Sequence, residues 1–297
     1  MQLIEQLPVE GFGNTNGALQ TESPRSHRLI IKPTSGWRAI DFRELWRYRE
    51  LLYFLVWRDV KVRYKQTVLG ALWAIIQPVM SMVVFSTFFG RFGGMSKNVD
   101  VPYPIFVFSG LLLWQFFSSS VTQAGGSLVS ASTLLTKVYF PRLFYPLSNI
   151  GSGLVDLFVA SSVLIVLMVK YGVAFTSGLA MLPLFVLGTA ILALGVGSLL
   201  AALSVVYRDF RYVIPFIVQL WMFASPVAYP LSVVPQKYQL IYALNPAVGW
   251  LTGFRSAILG DAVRWDCVGV SLIVTIVVVV VGVLYFRRVE RRFADVI

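Results

Sequence analysis

Few side chains in this sequence could do covalent chemistry, and they are scattered. One cysteine, Cys267, and one histidine, His27, exclude an intrachain disulfide, a zinc site and a Cys–His nucleophile. Asp156, in GSGLVDLFVASS, is the one ionisable group well inside an apolar run, where a charge is expensive and needs a reason. A proton-coupled carrier uses several such groups, and an intramembrane aspartyl protease two. A lone carboxylate either pairs with a basic group where two helices meet or couples movement of its span to an event at the membrane surface. No GxxxxGK[ST] phosphate loop occurs, and Gly93-Gly94 and Gly125-Gly126 lack its lysine. If the chain belongs to a pump, another polypeptide hydrolyses the nucleotide.

Non-covalent chemistry has more to draw on. Gln77, Gln115 and Gln219 sit in apolar runs where an amide must find a partner. At helical spacing, Trp73, Gln77, Ser81, Val84 and Phe88 share one face, as do Tyr103, Phe106, Gly110, Trp114 and Phe117, and Tyr212, Phe216, Gln219 and Phe223. Rings stack on the CH faces of sugars while amides bond their hydroxyls. The same periodicity also serves ordinary packing and interfacial belts. Lys137, Tyr139, Phe140, Pro141 and Arg142, and then Arg208, Asp209 and Arg211 around Phe210, mix aromatics with charge in short connections. Aromatics anchor and charges orient, so these suit docking of a soluble partner, or simple anchoring at the interface.

The elements that must position these groups are membrane helices. The chain is 57% hydrophobic and 13% charged, with mean hydropathy +0.73, and its apolar runs are continuous. That excludes a soluble globular protein and a β-barrel. Six spans are predicted near 69–90, 104–127, 149–170, 180–203, 213–229 and 267–286. Residues 1–40 read as a flexible tail. Over 41–66, apolar residues recur at helical spacing among Arg43, Arg47, Arg49, Arg58, Lys61, Arg63 and Lys65, which suits an amphipathic interface helix in the headgroup layer. Residues 230–265 are too apolar for a solvated loop and too broken by Pro235 and Pro246 for a span, so short re-entrant helices are expected. With the N-terminus inside, Arg91, Lys97, Lys170, Lys237, Arg255 and Arg264 alone of the 25 Lys and Arg fall outside. Both termini are therefore expected to be cytoplasmic. The net charge of +11 is read as topology and contact with membrane lipid, with no nucleic acid partner.

The runs RDVKVRYKQTVLGALWAIIQP, KVYFPRLFYPLSN and YRDFRYV, in this order and spacing, resemble type-2 ABC transporter permeases, in the branch exporting O-antigen, capsular and teichoic-acid polymers. The resemblance covers about residues 42–292. It implies an all-α integral membrane fold with six transmembrane helices, an N-terminal interface helix and gate helices before the last span. It further implies a homodimer over two nucleotide-binding ATPase subunits in a bacterial inner membrane, with ATP and Mg held by those partners and no cofactor in this chain. Residues 134–146, with Lys137, Tyr139, Phe140, Pro141 and Arg142, would then be the coupling helix, and the 206–212 loop a second contact with the ATPase. Trp73, Gln77, Phe88, Tyr103, Phe106, Trp114, Phe117, Phe216, Gln219 and Phe223 would line a channel. The substrate implied is a polysaccharide on a polyprenyl-diphosphate lipid, drawn in by Arg58, Lys61, Arg63 and Lys65, although plain topology accounts for those charges equally well. A type-2 exporter of a lipid or small molecule is the alternative. A membrane enzyme lacks a paired acid–base or metal constellation, and a passive channel needs no docking elements.

Overall fold

The computed structural model describes residues 46–65, 70, 72–130 and 141–290. The tail expected over 1–40 lies outside the described residues, as do the first residues of the interface helix. The described chain is helical, with no strand: α1 (Arg49–Lys65), α2 (Leu72–Phe85, continued by a π-helical segment Ser86–Phe92), α3 (Tyr103–Ser130), α4 (Phe144–Tyr171), α5 (Leu182–Val206), α6 (Phe210–Phe223), α7 (Gln236–Tyr242), α8 (Pro246–Leu259) and α9 (Trp265–Glu290). Hydrocarbon offers the backbone no hydrogen-bond partner, so each long apolar run closes its bonds within itself.

Five helical stretches among the described residues are long and apolar enough to cross a membrane: 72–92, 103–130, 144–171, 177–206 and 265–290. They match five of the six expected spans. The expected fifth, 213–229, differs. Its helix starts at Phe210 and stops at Phe223, 14 residues, which is about 21 Å against a hydrocarbon layer of about 30 Å. Pro226 is the cause, since a proline disfavours helical backbone at the residue before it. The orphaned carbonyl of Ala224 is taken instead by Tyr242 Oη and Asn245 Nδ2, both at 3.0 Å.

The broken stretch that follows holds α7 and α8, the pair of short helices expected there. Asn245 caps α8, its Oδ1 accepting the N–H of Ala247 at 3.2 Å, and Pro246 sits where its missing N–H is harmless. Nearly all of α8 is buried, packed on α9, α5 and α3. It is a core helix.

The hub is α3, which contacts α2, α4, α5, α6 and α8 and buries Ile105, Val107, Phe108, Leu113 and Val121 completely. A helix apolar all round belongs in such a place. Where α5 crosses α9, a Cβ on Gly282 would strike the Gly195 carbonyl, so small residues set the approach. By contrast α2 is peripheral, with Trp73, Met80, Val84 and Phe88 exposed. The interface helix α1 packs on α4 through Leu55 and Val56, the latter over Gly151, while Tyr53, Phe54 and Trp57 face outward. Exposed aromatics beside Lys61 fit a helix in the headgroup layer.

Candidate functional site

A polar tie joins α1 to the bundle. Arg63 Nη1 donates to Asp156 Oδ2 and Nη2 to Gln123 Oε1, and Tyr64 Oη donates to Asp156 Oδ1. Three helices, α1, α3 and α4, meet on this cluster. Of the two roles open to Asp156, pairing at a helix contact is the one this geometry supplies. Burial, and then the hydrogen bond to Asp156, push the Tyr64 hydroxyl above its ordinary range, so it remains a donor. A cavity of about 250 Å³ opens beside the tie, with Trp73, Gln77, Gln115 and Asp156 in its wall.

The four cations expected to draw in a diphosphate part company here. Arg63 is turned inward and committed to Asp156 and Gln123, because it lies about 140° round the helix from Arg58 at about 100° per residue. Arg58 donates to Asp59 Oδ1 from Nε at 3.0 Å and Nη2 at 2.8 Å, and Asp59 Oδ2 accepts Ser148 Oγ at 3.2 Å. Lys61 and Lys65 are exposed. A second cavity, about 630 Å³, lies where α1, the end of α3 and the starts of α4 and α6 converge.

Of the expected docking elements, Lys137, Tyr139 and Phe140 lie outside the described residues. Pro141 is half-buried, and Arg142 Nη1 donates to the Glu290 carbonyl at 2.7 Å, tying the start of α4 to the end of α9. Arg208, Asp209 and Arg211 are exposed at the turn into α6.

The aromatic faces divide by helix. Trp73, Gln77 and Phe88 on α2, and Phe216, Gln219 and Phe223 on α6, are exposed on the protomer. Tyr103, Phe106, Trp114 and Phe117 on α3 are buried within it, because the hub helix has neighbours on every side. Their rings hold the segment between α6 and α8. Tyr103 Oη donates to the Ala228 carbonyl at 2.5 Å, and the Phe106 ring lies 3.9 Å from the Arg255 guanidinium carbon. Trp114 and Phe117 meet Trp221 edge-on, and Trp221 Nε1 donates to Asn245 Oδ1 at 2.8 Å. By topology alone Arg255 is one of the outer charges. It is buried, donating to the Val227 carbonyl at 2.7 Å, and a side chain on Gly110 would collide with it. The available signal was its place in TGFRSA, flanked by apolar residues at helical spacing on both sides.

Comparison with known proteins finds a family and several relatives that cover most of these elements. The model of a family described as ABC-2 type transporter matches residues 50–259. The O-antigen export system permease protein RfbA of Myxococcus xanthus is 35% identical over 216 residues, 72% of this chain and 82% of its own. RfbA of Klebsiella pneumoniae is 27% identical over 252 residues, 84% and 95% of the two chains. The polysialic acid transport protein KpsM of Escherichia coli is 25% identical over 244 residues, 78% and 91%.

Proposed function

This chain belongs to the ABC-2 type transporter family, and from that premise we propose that it is the permease subunit of an ATP-driven exporter of polysaccharide, O-antigen or a related polymer. The relatives that carry those names span most of its length. The observation in the molecule that supports the reading most is that α2 and α6 each leave a face uncovered, with Trp73, Gln77 and Phe88 on the first and Phe216, Gln219 and Phe223 on the second. An amide exposed toward lipid lacks a partner, whereas a second copy set against these faces would enclose amides and rings in a sugar-compatible passage. The α3 aromatics then act from behind the wall by holding α6, α8 and the 227–228 turn.

The full assembly is a homodimer in a bacterial inner membrane, both termini cytoplasmic, over two ATPase subunits that bind ATP and Mg. The permease itself catalyses no reaction. The cargo is a polysaccharide on a polyprenyl-diphosphate lipid, and the α7–α8 segment forms the outward gate. An exporter of lipid or small molecules would not need so broad a display of rings and amides. Deletion of the gene in its host tests the reading: surface polysaccharide disappears and lipid-linked polymer accumulates inside, both restored by the gene in trans. Unchanged surface polysaccharide would end this assignment.

A further inference from the structure

The geometry points to the 630 Å³ cavity between α1, α3, α4 and α6 as the seat of a lipid-borne diphosphate, held between Arg58 and Arg211. This rests on the reading of the chain as an exporter of lipid-linked polymer. It moves the anion site from the exposed α1 strip into an open cleft, and it gives Arg211 a role other than docking.

Four observations carry it. Arg211 makes no hydrogen bond or ion pair among the described residues, yet it lines the cavity. Arg58 lines it too, and Asp59 holds that guanidinium through Nε and Nη2 and leaves Nη1 uncommitted. Thr122 and Asn149 line it as well and supply neutral donors, Asn149 keeping one amide hydrogen beyond the one it gives the Tyr145 carbonyl. One carboxylate against two guanidinium groups leaves the cavity positive, and the first turns of α4 and α6 border it, adding the positive ends of two helix dipoles. Two guanidinium groups suit a group with two phosphates, Arg211 with its whole fork free and Arg58 with Nη1.

The α3 wall is shaped to leave room. A Cβ on Gly126 would meet nothing within 4 Å, whereas one on its neighbour Gly125 would collide with Ile214. The first faces the cavity and the second the α6 contact. The cavity also adjoins α6, whose outer face carries Phe216, Gln219 and Phe223. A diphosphate lodged there would set its sugar at the foot of the aromatic face while the prenyl chain stays in lipid.

The assembled permease–ATPase complex, in nanodiscs of zwitterionic lipid, is titrated with a fluorescent farnesyl diphosphate and with the matching alcohol. The diphosphate should bind at least ten-fold tighter than the alcohol. Arg211→Gln and Arg58→Gln should each weaken it ten-fold or more, with Arg211→Lys recovering part of the loss. Gly126→Leu, whose Cβ meets nothing within 4 Å, should abolish binding while the complex still assembles with its normal thermal midpoint. Equal affinity for the alcohol, wild-type binding by Gly126→Leu, or an equal loss in Lys61→Gln would overturn the cavity assignment. Displacement by phosphatidylglycerol as readily as by inorganic pyrophosphate would show a phospholipid head-group site and overturn it too. Export in the host is read separately, so a failure of the cavity leaves the exporter standing, and a failure of export is seen whatever the binding result.

Discussion

Replacing Asp156 with Leu should loosen α1 from the bundle by a measurable amount. The change removes the acceptor of two hydrogen bonds, from Arg63 and Tyr64, and leaves Arg63 with Gln123. Hydrogen bonds to charged groups contribute roughly 1.5–3 kcal/mol each. The side chains are 30% and 23% exposed, so water recovers part of the loss, and about 2 kcal/mol is expected. That is roughly 30-fold in an equilibrium constant. A detached state populated at about 1% would rise to about a quarter. Detachment would be partial, because Leu55 and Val56 keep their apolar contacts. Spin labels at Trp57→Cys on α1 and Phe158→Cys on α4 report the distance, both sites being exposed while Cys267 is buried. The variant should show a second, longer distance population that the parent lacks. Arg63→Gln should show the same, and the double variant no more than either. An unchanged distance distribution in Asp156→Leu would refute the tie.

Burial separates two classes of aromatic. Trp114→Ala should cost about 3–5 kcal/mol and lower the thermal midpoint of the complex, whereas Phe216→Ala on the exposed face should stay within about 0.5 kcal/mol and still reduce export; equal stability loss in both would contradict the packing. Arg142→Glu puts a carboxylate against the Glu290 carbonyl, and ATP hydrolysis by the complex should continue while export stops; wild-type export would count against a coupling role. Tyr64→Phe tests pH dependence. Because the Tyr64 hydroxyl is raised above its ordinary value of about 10, its contribution is complete below that pH and is lost only as pH climbs through the raised value. The stability gap between Tyr64→Phe and parent should therefore be flat from about pH 7 to 9 and narrow only above about 10; a gap that closes near neutrality would rule the bond out.

Much of the architecture was legible in the residues. Continuous apolar runs must become helices, since hydrocarbon satisfies no backbone group, and that places five of the six expected spans. The breaks at Pro226, Pro235 and Pro246 were visible as well, and with them the short helices α7 and α8. Periodicity also grouped the aromatic residues by helix face. What it lacked was the neighbour of each face, because a face of one helix looks the same whether it meets lipid, a partner or another helix of the same chain. Tyr103, Phe106, Trp114 and Phe117 read like Trp73, Phe88 and Phe216, yet the first group lies inside the protomer and the second outside. Only tertiary packing decides this, through the number of helices around α3. The same holds for contacts between distant residues. Arg63 and Asp156 lie 93 positions apart, and Arg255 reaches the Val227 carbonyl, pairings that helix assembly creates and local sequence does not encode. Composition thus determined that the chain lives in a membrane as helices. The way those helices close on one another determined which charges are buried, which rings are exposed, and where a cavity between two arginines remains.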